Sequence, residues 1–532
     1  MKVAFRQSMA WLHTWCGVLV GWALFFIFLT GTAGYFDTEI DRWMQPERPL
    51  VAEAMSTADA VASAVRRLQQ TSPEAARWLI LPPSGRENPQ LRIVWNAYPK
   101  KRGERAASGG EYLDAVTREP VTYRRTGGGQ LLYRMHYRLH YMSRGPAAWI
   151  VGVCTMFMLV AIVTGVIVHR KIFRDFFTFR PGIGQRSWLD AHNMLAVLAL
   201  PFHAMITYTG LVFIMYLYMA PLIAATYGMS EQERKSYVDV MFSSTPGAAT
   251  VRAGVATPLP ALAPLLSEAE RQWGPIRSVT IRHPGDRNVQ VFIEAGEQTL
   301  SRSVGELRFD IKNGVRLLFD DDRSMAKTTV DALLGLHEGL FAGPLLRWLY
   351  FVSGLMGTAM IGAGLVLWTV KRRERLARDD KPSFGLGLVE QLNIGTIVGL
   401  PVAIAAYFWA NRLIPSHFAE RAAWEANTLF IVWALLLLHP IVRPVRRAWI
   451  EQLGLAAAAY ALLPALNAIT TDRHLGASVP AGQWDLAGFD LVMLAFGTIF
   501  AVVAWRLMRR APVTAAGRAR SYTALRHLRP AK

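Results

Sequence analysis

Four histidines stand at matching places in two long apolar segments of the chain, and neutral imidazole is a metal ligand that a bilayer tolerates better than a permanent charge. The first segment, WLHTWCGVLVGWALFFIFLTG, runs from Trp11 to Gly31, and the second, WLDAHNMLAVLALPFHAMITYTG, from Trp188 to Gly210. His13 precedes Gly31 by 18 residues, and His192 precedes Gly210 by 18, with Thr30 or Thr209 ahead of each glycine. The next apolar segment is entered alike in both copies, through Leu139-His140 ahead of Gly145-Pro146 and through Leu336-His337 ahead of Gly343-Pro344. Two half-units with a histidine near each membrane face suggest paired axial ligands for haem, His13 facing His192 near the inner surface and His140 facing His337 near the outer one. Each ligand is expected to donate its second ring nitrogen to a carbonyl or carboxylate.

Three further histidines enter with alternatives. His203 follows His192 by 11 residues, about 16 Å of straight helix and close to a whole number of turns, which places both on one face and His203 near the membrane centre. It reads as a ligand or as a buried hydrogen-bonding group. His169 reads as a ligand or a lipid headgroup contact, with Trp368 at its place in the second copy. His136, one turn before His140, is an alternative outer ligand.

Eight apolar runs must position these residues, at roughly 11–35, 147–169, 189–220, 346–370, 391–410, 425–442, 448–468 and 486–508. The chain has 532 residues, 52% of them hydrophobic, and a positive mean hydropathy. The first run is longer than the h-region of a cleaved signal peptide and reads as a retained helix. Basic clusters at Arg170, Lys171, Arg174, Arg180 and Arg186, at Lys371, Arg372, Arg373 and Arg375, at Arg443, Arg446 and Arg447, and at Arg506, Arg509 and Arg510 fall on one side if both termini lie inside. The net charge of +19 then reflects topology and attraction to anionic lipid, not nucleic-acid binding. Cys16 and Cys154 both lie in spans, and neither CxxC nor CxxCH occurs, so any haem is held without thioether links.

Between the first two spans and between the third and fourth lie two long segments on the outer side. Each has a helical stretch, 51–70 or 261–273, followed by short strand-like runs: RWLILP, QLRIVWNA and EYLDAV in one, SVTIRHP, NVQVFIEA and GELRFDI in the other. The expected class is therefore an all-α polytopic membrane protein of about eight transmembrane helices with an internal parallel repeat and two small α+β outer domains. Its expected divisions are a first span to 36, an outer domain at 37–130, a second span at 131–170, an inner loop at 171–187 and a third span at 188–220. The second outer domain at 230–330, a fourth span at 331–370, a linker at 371–388, a four-helix module at 389–510 and a basic tail at 511–532 complete it.

The pieces WLHTWCG, LHYMSRGP with TGVIVHRKIFRDFFTFRPG, SWLDAHNMLAVLALPFHAMITYTGL and HEGLFAGPLLRWLYFVSGLMG resemble the PepSY-associated transmembrane helix family, which includes iron-regulated inner-membrane proteins and ferric-siderophore reductases. The outer segments look like its PepSY domains, and the resemblance covers roughly residues 1–375. It implies a bacterial inner-membrane protein with both termini cytoplasmic and PepSY-like domains in the periplasm. It also implies two haems b, bound by His13, His192, His140 and His337, that pass electrons to a periplasmic ferric siderophore or other iron chelate. His203 and His169 look typical of a narrower branch.

No dinucleotide fingerprint or Walker motif appears, since PGIGQRS and FGLGLVE follow no strand, so a quinol or a separate cytoplasmic flavoprotein is the expected donor. Arg134, Arg138 and Arg347 outside, and Arg170, Lys171 and Arg186 inside, read either as partners of haem propionates or as solvated and topological charge. Two other classes fit the same organisation: a transport component for the chelate, or a regulatory protein whose outer domains bind a peptidase or peptide. The last four spans, with His417 and His439 lacking repeat partners, read as a packing or assembly module.

Overall fold

The computed structural model describes residues 3–48, 55–84, 86, 90–99, 106–169, 180, 184–228, 230, 232, 251–296, 299–300, 306–310, 315–319, 325–376 and 383–510. Two compact units emerge, Met1–Glu374 and Arg375–Lys532.

In the first unit, a 32-residue helix α1 (Val3–Gly34) leads into a short α2 (Asp37–Met44) and then α3 (Thr57–Thr71). Ser56 starts α3 by accepting the Asp59 amide at 3.1 Å, an N-cap that supplies one of the helix's missing acceptors. Strands β1 (Arg77–Leu81), β2 (Leu91–Asn96) and β3 (Ser108–Leu113) follow, then α4 (Gly128–Arg138) and the apolar α5 (Arg144–Val168). The second pass begins with α6 (Gln185–Leu198) and α7 (Leu200–Phe213), and two short helices, Met215–Tyr218 and Ala220–Tyr227, come next. It continues with α8 (Leu262–Trp273), β4 (Ile276–Arg282), β5 (Gln290–Ala295), β6 (Glu306–Asp310), β7 (Val315–Phe319), α9 (Met325–Glu338) and α10 (Pro344–Leu376).

The two segments between the spans each fold as a helix followed by strands, as expected, with β7 as an additional strand. They share one sheet. Its order is β3-β2-β1-β4-β5-β6-β7, antiparallel throughout, and the two segments meet at β1 and β4, where Trp78 opposes Ile281 and Ile80 opposes Val279. Alternation explains the joint: Trp78, Ile80, Val279 and Ile281 are buried and point to one face, where α3 and α8 cover them with Ala60, Ala64, Leu68, Leu265, Leu266 and Ala269. Each large apolar side chain buried there contributes about 1.5–3 kcal/mol. Either segment alone would leave β1 or β4 as an open apolar edge, which is why a single sheet is the stable arrangement.

Among the described residues, seven helices are long and apolar enough to cross a membrane, and the bent pair α6–α7 makes an eighth if taken as one span. That pair differs from the straight helix expected. α6 and α7 meet at a 69° bend. Pro201, in the first turn of α7, cannot donate to the Val197 carbonyl, and its ring clashes there. His203 therefore does not share a straight helix face with His192.

Asp41 of α2 fastens α4. Its carboxylate accepts the Gly129 amide at 2.8 Å, and Gly128 adopts a φ of 61°, in the left-handed region, where a Cβ would collide with the same carboxylate. Burial, with Asp37 nearby, raises the Asp41 carboxyl to about 6 from 3.8. A raised folded-state value adds stability below the unfolded value and loses it as pH rises through the folded one. Asp41→Asn should thus match the parent protein near pH 4 and melt roughly a few degrees higher above pH 6.5. A melting-temperature difference that stays flat across that range would refute this.

The second unit comprises α11 (Phe384–Ile397), α12 (Gly399–Leu413), α13 (Arg421–Leu438), α14 (Val445–Ala461), α15 (Leu463–Thr470) and α16 (Trp484–Arg509). Val398, Val402, Leu436, Leu453, Ala456 and Ala504 form its apolar core, and Gly497 lets α16 approach the Ala461 backbone, where a Cβ would come within 2.7 Å of the Ala461 nitrogen. His439 pairs with Glu451 at 2.9 Å. Buried Asn411, Arg412, Arg421, Glu425, Asn467 and Asp490 form a hydrogen-bonded network within this unit.

Candidate functional site

Each of four histidines in the first unit sits on a neighbouring helix in the same way. His13 on α1 reaches α5, with its Nδ1 2.9 Å from the Ala161 carbonyl and its ring against Gly165, where a Cβ would lie 3.2 Å from Cε1. His192 on α6 repeats this on α10, with Nδ1 2.8 Å from the Met360 carbonyl and a Gly364 Cβ at 3.2 Å. His136 on α4 reaches α1, with Nδ1 2.8 Å from the Ile27 carbonyl and a Gly31 Cβ at 2.5 Å. His337 on α9 reaches α7, where the Ile206 carbonyl accepts from it, Thr209 Oγ1 lies 3.0 Å from Nδ1, and a Gly210 Cβ would stand 3.1 Å away.

In all four seats the accepting carbonyl and the glycine are four residues apart. Positions i and i+4 share a helix face, and the carbonyl at i already accepts the amide of the glycine at i+4. Its second lone pair is reachable by a side chain only where no Cβ stands beside it. A carbonyl can only accept, so each imidazole carries its proton on Nδ1 and keeps a lone pair on Nε2.

The four rings form two pairs. His13 and His192 have centroids 6.2 Å apart with planes at 71°, and His136 and His337 have centroids 5.9 Å apart at 38°. A transition-metal ion about 2.0 Å from two opposed Nε2 atoms sets imidazole centroids about 6 Å apart, so both pairs have the spacing of a shared ion. No group of three or more His, Cys, Asp or Glu side chains converges among the described residues. The donor set is two imidazoles at each place, which suits an ion that brings its other ligands with it. Helices α4 and α9 lie outside the candidate spans; burial lowers His136, and burial with the neighbouring His136 pushes His337 down to about 3, so both rings stay neutral at physiological pH.

The ring that faces His337 is thus that of His136, and His140 lies elsewhere. α4 ends at Arg138, and Leu139 and Tyr141 adopt positive φ values of 49° and 62°, which turn the chain away. His140 falls in that turn, with its ring 4.2 Å from Tyr141. The signal was present in sequence. His136 and His337 both precede a leucine by three residues, Leu139 and Leu340, and His136 continues the buried face of Leu132 and Met135. The linker from His136 to Gly145 is nine residues and that from His337 to Gly343 six, so aligning on the glycines points to His140 and away from the ring that faces His337.

His203 is 1% exposed and stands against Phe28 and Phe202, with Nε2, not Nδ1, 3.2 Å from the Ser353 carbonyl. Its Nδ1 is buried and meets no hydrogen-bond partner, and its ring meets no second imidazole, among the described residues. His169 closes α5, its amide 3.0 Å from the Gly165 carbonyl. On the sheet side, Arg347 lies 3.8 Å from Glu39 and donates to the Ala342 carbonyl, Arg134 donates to the Gln130 carbonyl, and Arg138 covers Tyr137. Arg186 opens α6, whereas Arg170 and Lys171 lie outside the described residues.

A family model, PepSY-associated TM region, matches residues 10–371. The chain belongs to the PepSY-associated TM region family. The match ends within α10, so every seated histidine lies inside the PepSY-associated region and all of α11–α16 lies beyond it. No curated protein matches the chain.

Proposed function

We propose that this member of the PepSY-associated TM region family is a dihaem electron-transfer protein of the bacterial inner membrane that reduces a ferric chelate, such as a ferric siderophore, in the periplasm. The observation that carries the reading is the pair of imidazole pairs, 6.2 and 5.9 Å apart, each ring fixed through Nδ1 and backed by a glycine. His13 with His192, and His136 with His337, would hold two haems b, and the four glycines leave each ring free of the Cβ that would push it out of line. When bound, haem supplies reversible one-electron transfer.

The chain's own residues do the rest. Nδ1 hydrogen bonds to helix carbonyls fix ring orientation and raise imidazole basicity, which sets affinity and potential. The two pairs are about 20 Å apart along α1, from the level of His13 to that of Ile27, so they mark the two ends of the bundle. The matching seats on α5 and α10, and on α1 and α7, support an internal parallel repeat. The basic clusters at the far ends of α10, α13 and α16 favour cytoplasmic termini and a periplasmic sheet. Hard oxygen donors hold ferric iron, and one electron loosens them, so the substrate is an anionic oxygen-donor chelate. The electron donor would be a quinol or a cytoplasmic flavoprotein.

A dithionite-reduced minus oxidised spectrum of the purified protein, with a pyridine haemochrome assay, tests this. Sharp b-type bands and two haems per chain are expected. A colourless protein after expression with ample haem would overturn the reading.

A further inference from the structure

The indole of Trp368 carries a buried N–H with no acceptor among the described residues. Trp368 lies on α10 one turn beyond Gly364, the glycine against which His192 is seated, so its ring is on the same helix face as that histidine and displaced toward the end of the bundle away from the sheet. Arg372, one further turn along, stacks its guanidinium over the indole, 3.4 Å from the ring centroid. A cation on the face of an indole is attracted by its π-electrons and draws density from the ring, which makes the N–H a stronger donor. A buried N–H without an acceptor costs about 1–3 kcal/mol, so the position calls for an acceptor that arrives with a ligand. The guanidinium beside it selects for a negative one.

We propose that Trp368 Nε1–H and Arg372 bind a carboxylate of the group held between His13 and His192, which on the dihaem reading is a haem propionate. This inference rests on that reading. The first copy places His169 where the second has Trp368, since both stand four residues beyond a seat glycine, Gly165 or Gly364. Each copy therefore offers a ring N–H group at the equivalent level, and at Trp368 a guanidinium lies over the ring. The substitution of tryptophan for histidine retains a donor while adding an aromatic face for Arg372.

Trp368→Phe keeps the ring and the stacking surface and removes only the donor. A hydrogen bond to a charged group contributes about 1.5–3 kcal/mol, so haem should leave the His13–His192 site at least about tenfold faster, measured by transfer to apomyoglobin. The midpoint potential of that haem should fall, because the propionate charge is less neutralised, while the His136–His337 haem keeps its own rate and potential. Trp368→His should restore retention, and Arg372→Gln, which leaves the indole packed, should also speed loss. Loss at the parental rate with an unchanged potential in both Trp368→Phe and Arg372→Gln would overturn the assignment while leaving the dihaem reading intact. A parent protein that binds no haem would overturn both.

Discussion

On the proposed dihaem function, purified His136→Ala should carry one haem where the parent carries two, and His140→Ala should carry both. The difference follows from the seats. His136 is held by the Ile27 carbonyl on Gly31 and faces His337 at 5.9 Å, whereas His140 stands in the turn after α4 against Tyr141. If each pair holds a haem, loss of one imidazole would leave a single protein ligand, too weak an anchor for retention through detergent purification. His337→Ala should behave as His136→Ala does, and His13→Ala or His192→Ala should remove the other haem. The check is a haemochrome assay on equal amounts of folded protein, with size-exclusion profiles to confirm folding. Loss of haem in His140→Ala with full content in His136→Ala would reverse the assignment of the outer pair.

Glu425→Ala should unfold the second unit at a far lower temperature than the parent, by a larger margin than any surface change. Arg421 and Glu425 are 1% and 0% exposed at their side chains, and the carboxylate accepts from both the Arg421 guanidinium and Asn411 Nδ2, the latter at 2.8 Å. Arg421 also donates to the Asn411 carbonyl. Removing the carboxylate leaves a buried guanidinium without its counter-charge, which costs about 3–5 kcal/mol. The paired replacement Arg421→Met with Glu425→Leu removes both charges and should recover most of the loss, because desolvating two ions offsets much of what their attraction contributes. Thermal unfolding followed by circular dichroism and light scattering distinguishes the two. Equal destabilisation by the single and double changes would show that packing, not the orphaned charge, is what matters there.

Much of this architecture is legible in the linear chain because its determinants are local. A run of apolar residues about 20 long crosses a bilayer whatever its partners, so the spans are read from composition alone, and His13 and His192 are found because 18 residues separate each from its glycine. Period-two alternation in RWLIL and VTIR predicts strands in the same way. The seats were half visible: Gly31 and Gly210 stood out as repeated residues, but that each one receives a histidine from a different helix is a contact across more than a hundred positions of sequence.

Tertiary structure decided what depends on such contacts. It selected His136 over His140, because the turn at Leu139 and Tyr141 ends α4 and only a residue before it can face His337. It took His203 off the line of His192, because one proline bends the helix and the bend sends the ring to Ser353 and Phe28. It joined the two segments into one sheet, because β1 and β4 each had one edge without a strand partner in their own segment. Hydrophobic runs and repeated spacings reveal which residues belong to the membrane and which are duplicated; which ring meets which is fixed by helix ends, bends and the absence of a Cβ, and those act only in three dimensions.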